Sequence, residues 1–238
     1  MADDSRHFAD KLNELKSRVL VMGGLAEEAV RRATQSLLTR NAQGARSVIE
    51  SDHAVNALHM EIDDRSFKLL ALYQPMAIDL RTIVAAVKIN ADLERIGDLA
   101  VNIAEATARY IQHPPVKPLI DLPRMAALAL RMLRDALDAF VSGRTNAAEQ
   151  VVTDDDMLDA LKNQILRELL TYMLGESSTI EPSLDLILIS RHLERIGDHA
   201  TNISEDVIFI FDGRDVRRQP PVHPRGPDSD FGPPITVS

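Results

Sequence analysis

Apolar residues recur along this chain at i, i+3 and i+4 over long stretches, and Gly and Pro are nearly absent inside them. That periodicity belongs to amphipathic helices. The spacing predicts a helix over 5–39, a short turn at Arg40-Asn41-Ala42-Gln43-Gly44, and a second helix over 45–72. Pro75 precedes a third helix over 77–112. This one ends at His113-Pro114-Pro115-Val116-Lys117-Pro118, which removes backbone donors and enforces extended chain. The plan then repeats with helices over 122–141, 146–174 and 182–211, separated by Ser142-Gly143-Arg144 and Gly175-Glu176-Ser177-Ser178. Residues 214–238 hold half of the 12 prolines without apolar periodicity and are expected to form a disordered tail.

The repetition extends to single letters. Leu93-Glu94-Arg95-Ile96-Gly97-Asp98 returns as Leu193-Glu194-Arg195-Ile196-Gly197-Asp198, and the match continues through Ala100/Ala200, Asn102/Asn202, Ile103/Ile203 and Glu105/Glu205. Each half carries L-E-R-I-G-D-x-A-x-N-I-x-E. The predicted fold class is therefore all-α, with two tandem, pseudo-symmetric three-helix bundles: a first lobe at 1–113 and a second at 119–213. With 238 residues and 45% apolar content, the chain has material for one large core or two modest ones. Helices of about 30 residues run to roughly 45 Å, so the lobes should be elongated.

Composition removes several classes of chemistry. The chain has no Cys, hence no disulfide, thiolate metal site or cysteine nucleophile. Its net charge of −9 disfavours a general nucleic-acid surface. No apolar stretch reaches the roughly 18 residues of a membrane span, and the start MADDSRHF lacks a signal-peptide pattern, so a cytoplasmic location is expected. No phosphate-cradling glycine loop, G-x-S-x-G elbow or H-E-x-x-H motif occurs.

What remains is a set of acids. On the third helix Ile89, Leu93, Ile96, Ala100 and Ile103 share a core face, while Glu94, Asp98, Asn102 and Glu105 gather on another. Glu94/Asp98 and Glu194/Asp198 place like charges at i and i+4, which opposes helix formation by a few tenths of a kcal/mol. That face is not simply the wet side, because upstream it carries Val84 and Val87 in one copy and Leu184 and Ile187 in the other. On the second helix Asp52 and Asn56 correspond to Asp155 and Asp159, again at i and i+4. Acidic pairs on facing antiparallel helices make an oxygen-rich pocket suited to a hard cation or iron. The competing reading is a solvated face whose acids are neutralised by Arg95 and Arg195. His53 and His199 each neighbour an acid in sequence, but adjacent helical residues point about 100° apart. Gly97 and Gly197 each cost about 1 kcal/mol mid-helix, so close helix packing is expected there. Gly23-Gly24, aligned with Ala126 and Ala127, reads as small-residue packing.

On the doubled L-E-R-I-G-D-x-A-x-N-I-x-E, the Asp79-Leu80-Arg81 at the start of the third helix and the two-by-three helix plan, the chain resembles the PhoU family over roughly 8–213. The resemblance implies metal binding at E/D-x-x-x-D motifs, which fall here on Glu94 with Asp98, Glu194 with Asp198, and Asp155 with Asp159, with Asp52 beside them. The ions implied are divalent or ferric: Fe, Zn, Mn or Mg. Asn56 stands where the family pattern has an acid, and Ile180-Glu181 replaces the Leu-Arg element in the second half. The functional implication is negative regulation when phosphate is plentiful. The family member acts as an adaptor without turnover on the ATPase subunit of the phosphate ABC importer and on the phosphate-sensing histidine kinase, as a homodimer, peripheral to those membrane complexes and without direct nucleic-acid contact. Two other readings stand beside it. A ferritin-like oxidase or metal store wants E-x-x-H on two helices, and this chain offers one such run, Glu50 to His53, replaced by Thr153 to Asp156 in the other copy. A structural scaffold differs by predicting no metal at all.

Overall fold

The computed structural model describes residues 2–51 and 53–216. Among them the chain forms α1 (Ala2–Leu38), α2 (Ala42–Glu50), α3 (His53–Tyr73), α4 (Ala77–Tyr110), α5 (Asp121–Ser142), α6 (Thr145–Gly175) and α7 (Ile180–Asp212), with a single 3-10 turn at Ser177–Thr179 before the last helix. The fold is all-α and built as two three-helix lobes, as the repeat requires.

One element departs from the sequence reading. The helix expected over 45–72 is two helices, α2 and α3, which together occupy the place that α6 fills in the second lobe. The break has a local cause. Both the Ser51 hydroxyl and the Ser51 N–H donate to the Val48 carbonyl, at 3.0 and 3.1 Å, closing α2, and the His53 ring sits 3.0 Å from the Glu50 carbonyl. Ser offers the backbone this alternative to helix continuation. Asn41 caps the start of α2 by accepting from the Gly44 N–H at 3.0 Å. In the second lobe the equivalent position, Asp154, is buried and held by Arg131 at 2.9 Å and Gln150 at 3.0 Å, and α6 runs through unbroken.

The lobes share one core. Their buried apolar residues form a single cluster running from Leu12 in α1 to Ile210 in α7. α4 buries two faces: Ile89, Leu93, Ile96 and Ile103 fill the first lobe, while Ala85, Leu99 and Ala106 are buried as well. α4 lies against α7, and the side-chain contacts between them fix an antiparallel register. Lys88 near the start of α4 meets Asp206 near the end of α7 at 2.8 Å, Asp92 meets His199 at 2.8 Å, and Arg109 meets Asp185 at 2.9 Å. Positions 97 and 197, equivalent in the repeat, therefore come level at the middle of this packing, so the duplicated halves face each other about a local two-fold.

α1 packs on α5 across the same division, where Glu27 pairs with Arg134 and a Cβ on Gly23 would collide with the Leu137 side chain. The small-residue reading of Gly23 is thus accounted for. Gly197 is explained in the same way, since a Cβ there would strike the fully buried Leu158 on α6.

The linker between lobes is tied down at its start. Arg40 donates to the carbonyls of Ile111, at 2.9 Å, and His113, with its guanidinium 5.2 Å over the Tyr110 ring. Of the tail expected from residue 214, the described part stays on the body: Arg214 pairs with Glu149, and Val216 packs against the core. The remainder of that expectation, and Asp52, lie outside the described residues.

Candidate functional site

In the second lobe α6 and α7 are antiparallel neighbours, and they bring together the acids that the repeat singles out. Burial pushes the Asp198 carboxyl up to about 6, followed by the charges of Glu194, Asp155 and Asp159. Asp198 itself opens to solvent, so the crowding of its three acidic neighbours is the contribution that the geometry carries most firmly. Asp155 is buried.

A residue that the motif analysis missed completes the cluster. Lys162, one turn beyond Asp159 on α6, donates to Asp159 at 2.8 Å and to Glu194 on α7 at 2.6 Å. Burial opposes the Lys162 charge, but the two carboxylates outweigh it and hold the amine above its ordinary value. The signal for Lys162 was the i, i+3 spacing from Asp159, which places a lysine on the acidic face. The repeat concealed it, because His59 stands at the equivalent place in the first lobe and turns to Asp63 instead, 3.7 Å away.

In the first lobe the doubled acids have an arginine beside them. Arg95 lies 3.5 Å from Glu94 and 3.4 Å from Asp98, neutralising both from within the same helix. Asn56 contributes no charge. Arg195, the counterpart of Arg95, makes no ion pair among the described residues; Lys162 has taken Glu194 in its place. The two histidines that neighbour acids in sequence point elsewhere: His53 lies against the Glu50 carbonyl and His199 is bound to Asp92 across the lobe boundary.

The second-lobe donors fit a hard cation chemically. They are four carboxylates with no soft ligand, and Asp198 remains short of positive charge even with Lys162 in place. In the described arrangement no three of the Asp, Glu or His side chains stand ready around a single ion. The Lys162 ammonium bridges Asp159 and Glu194, so a metal held by both would have to displace it. The ferritin-like alternative gains nothing from this geometry, since its second E-x-x-H is absent.

These features define a tandem-repeat helical protein whose singular chemistry is a carboxylate cluster, crowded in one copy and neutralised in the other. Comparison with known proteins places that class. The chain belongs to the PhoU family: the PhoU domain matches it twice, over residues 19–107 and 122–207, one match in each lobe. It is 38% identical over 217 residues to the phosphate-specific transport system accessory protein PhoU homolog of Caulobacter vibrioides, covering 91% of this chain and 94% of that one. The homolog from Aquifex aeolicus is 38% identical over 209 residues, covering 88% and 95%. Among solved structures, PhoU from Pseudomonas aeruginosa superposes with a TM-score of 0.83 at 35% identity, over 87% of this chain and all of that one. The phosphate transport system regulatory protein PhoU from Streptococcus pneumoniae superposes with a TM-score of 0.81 at 30% identity, covering 88% and 99%.

Proposed function

We propose that this protein is an accessory protein of phosphate-specific transport that restrains uptake and phosphate-starvation signalling when phosphate is plentiful. The observation that carries this reading is the match of both lobes, over nearly their whole length, to a family whose relatives bear that accessory role in their names. Its partners in this reading are the ATPase subunit of the phosphate importer and the phosphate-sensing histidine kinase, met at the cytoplasmic face, with self-association as a homodimer. No helix among the described residues is long and apolar enough to cross a membrane, which accords with recruitment by contact. The reading includes a metal at Glu194, Asp198, Asp155 and Asp159. Bound there, an iron, zinc, manganese or magnesium ion would supply positive charge that fixes α6 against α7.

The regulatory reading predicts that a clean deletion strain grown in high phosphate expresses its starvation genes several-fold above the parent, and that the full chain supplied in trans restores repression. A starvation-promoter reporter measures this. Unchanged expression in the deletion would overturn the reading.

A further inference from the structure

One turn from the motif positions of the first lobe, three polar side chains meet between α3 and α4. His59 and Asp63 stand at i and i+4 on the same face of α3. Asn90, fully buried on α4, donates from Nδ2 to the Asp63 Oδ1 and to the His59 carbonyl, at 2.9 Å each. These bonds hold the amide against both residues, yet its Oδ1 is buried with no hydrogen-bond partner. The His59 Nδ1 is buried and unpartnered as well. On the other side of the ring, Nε2 lies 3.7 Å from the Asp63 Oδ2, too far for a hydrogen bond. The ring is therefore fixed by no hydrogen bond of its own, and no lysine or arginine pairs with Asp63 among the described residues.

Buried polar atoms without a partner are uncommon, and two of them beside one carboxylate point to a group that the protein itself does not supply. The atoms left over are an amide oxygen, a carboxylate oxygen and an imidazole nitrogen, each able to give a lone pair. A cation answers all three at once. Ligand atoms about 2.1 Å from one ion stand about 3 to 4 Å apart, which brackets the Nε2–Oδ2 separation. Two ligands at i and i+4 on one face is also the spacing by which a helix chelates zinc. The imidazole selects the metal, because magnesium and calcium take oxygen ligands whereas zinc takes nitrogen and oxygen together. Only two His, Asp or Glu side chains take part, with an amide as the third ligand, which accords with the lack of a ready group of three among the described residues. The second lobe does not carry the set: Lys162, Leu166 and Ser190 stand in these places, and the Ser190 hydroxyl donates to the Ile187 carbonyl of its own helix at 2.8 Å.

We propose that His59, Asp63 and Asn90 form a mixed-ligand metal site in the first lobe. It takes a zinc-class divalent ion through the His59 imidazole, the Asp63 carboxylate and the Asn90 amide oxygen, with water completing the shell. The side chains of His59 and Asp63 are 30% and 33% exposed, which leaves the ion an entry path. Bound there, the ion ties α3 to α4 in the first lobe, as the Lys162 ammonium ties α6 to α7 in the second. None of its ligands belongs to the doubled acidic motif, so the site stands or falls apart from the lobe-two cluster.

Calorimetric titration with Zn²⁺ tests the site in the full chain carrying Asp198→Asn, a background in which the lobe-two cluster does not obscure the count. One zinc ion should bind per chain and raise the melting temperature. His59→Ala and Asp63→Asn, each added to that background, should weaken the binding at least about tenfold and abolish the thermal shift. His53→Ala, on the same helix, should change neither. Asn90→Asp exchanges the amide for a charged oxygen and should tighten zinc by about tenfold. If that buried substitution prevents folding, the two variants on the more open α3 face still decide. No zinc uptake, or uptake that His59→Ala and Asp63→Asn leave unchanged, an adventitious ion only, would overturn the proposal, as would an equal loss with His53→Ala. Titration of the wild-type chain and of its His59→Ala variant with Mn²⁺ keeps the two sites distinguishable, because that ion belongs to the all-oxygen cluster and both chains should take it up alike. Zinc binding that depends on His59 without any Mn²⁺ uptake would remove the lobe-two metal and leave this site standing.

Discussion

Replacing Arg109 with Met is expected to lower the stability of the folded chain by about 2 kcal/mol, more than any other exposed arginine substitution on α4 or α7. The Arg109 side chain is itself 55% exposed, but its partner Asp185 is only 7% exposed, at the boundary between the lobes. Removing the guanidinium leaves a carboxylate in low-dielectric surroundings without its cation, and the cost of that isolation exceeds the modest value of the pair in water. The solvent access of Arg109 is the reason for setting the figure below the 3 to 5 kcal/mol typical of fully buried pairs. Arg95→Met, which removes a cation from two carboxylates that stay solvated, should change stability by less than about 0.5 kcal/mol. Urea unfolding of both variants checks this, and the double variant Arg109→Met, Asp185→Asn should recover most of the loss. Equal, small effects at both arginines would show that Asp185 does not depend on its partner.

The second large effect is expected at Lys162. Lys162→Met keeps the aliphatic stem and removes a cation that bridges α6 and α7 within the acidic cluster. The metal-free protein should then lose about 1 to 2 kcal/mol at pH 7, a figure reduced for the partial exposure of the carboxylates. The sign of the pH dependence follows from Asp198. Its folded pKa, about 6, lies above the unfolded value near 4, so its charge costs stability as pH rises through that window and costs nothing below it. Without Lys162 the window should widen upward, and the variant should approach wild-type stability at pH 4 to 5 while falling behind at pH 7. Thermal melts across that range, with and without Mn²⁺, read it directly. A loss that is constant with pH would assign Lys162 a packing role instead.

What the sequence made legible was whatever the two copies have in common. The helix breaks, the core face of Leu93 and Leu193, and the acidic face of Glu94 and Glu194 each appear twice, so repetition marks them. It conceals what differs between the copies. Lys162 stands where His59 does in the other copy, and Asp92 where His192 does, so neither belongs to the doubled motif, yet one bridges two acids of the cluster and the other joins the lobes through His199. The break at Ser51 escaped for another reason: apolar periodicity continues from α2 into α3, while the Ser51 hydroxyl and N–H both turn to the Val48 carbonyl and close α2. The assignment of Arg195 as a neutralising partner failed because symmetry in letters does not oblige symmetry in contacts once a competing lysine reaches the same carboxylate first.

The proposed cation site is the lobe-two cluster, and metal titration of the full chain, with elemental analysis of the loaded protein, tests it most directly. Wild type and Asp98→Asn should take up metal alike, while Asp198→Asn, which keeps the side-chain shape and removes one charge, should bind at least about tenfold more weakly with its helices intact. Lys162→Met should bind more tightly than wild type, because the internal cation no longer contests the four carboxylates. No uptake by wild type, or equal uptake by wild type, Asp98→Asn and Asp198→Asn, would contradict the account and return these acids to an ordinary solvated face.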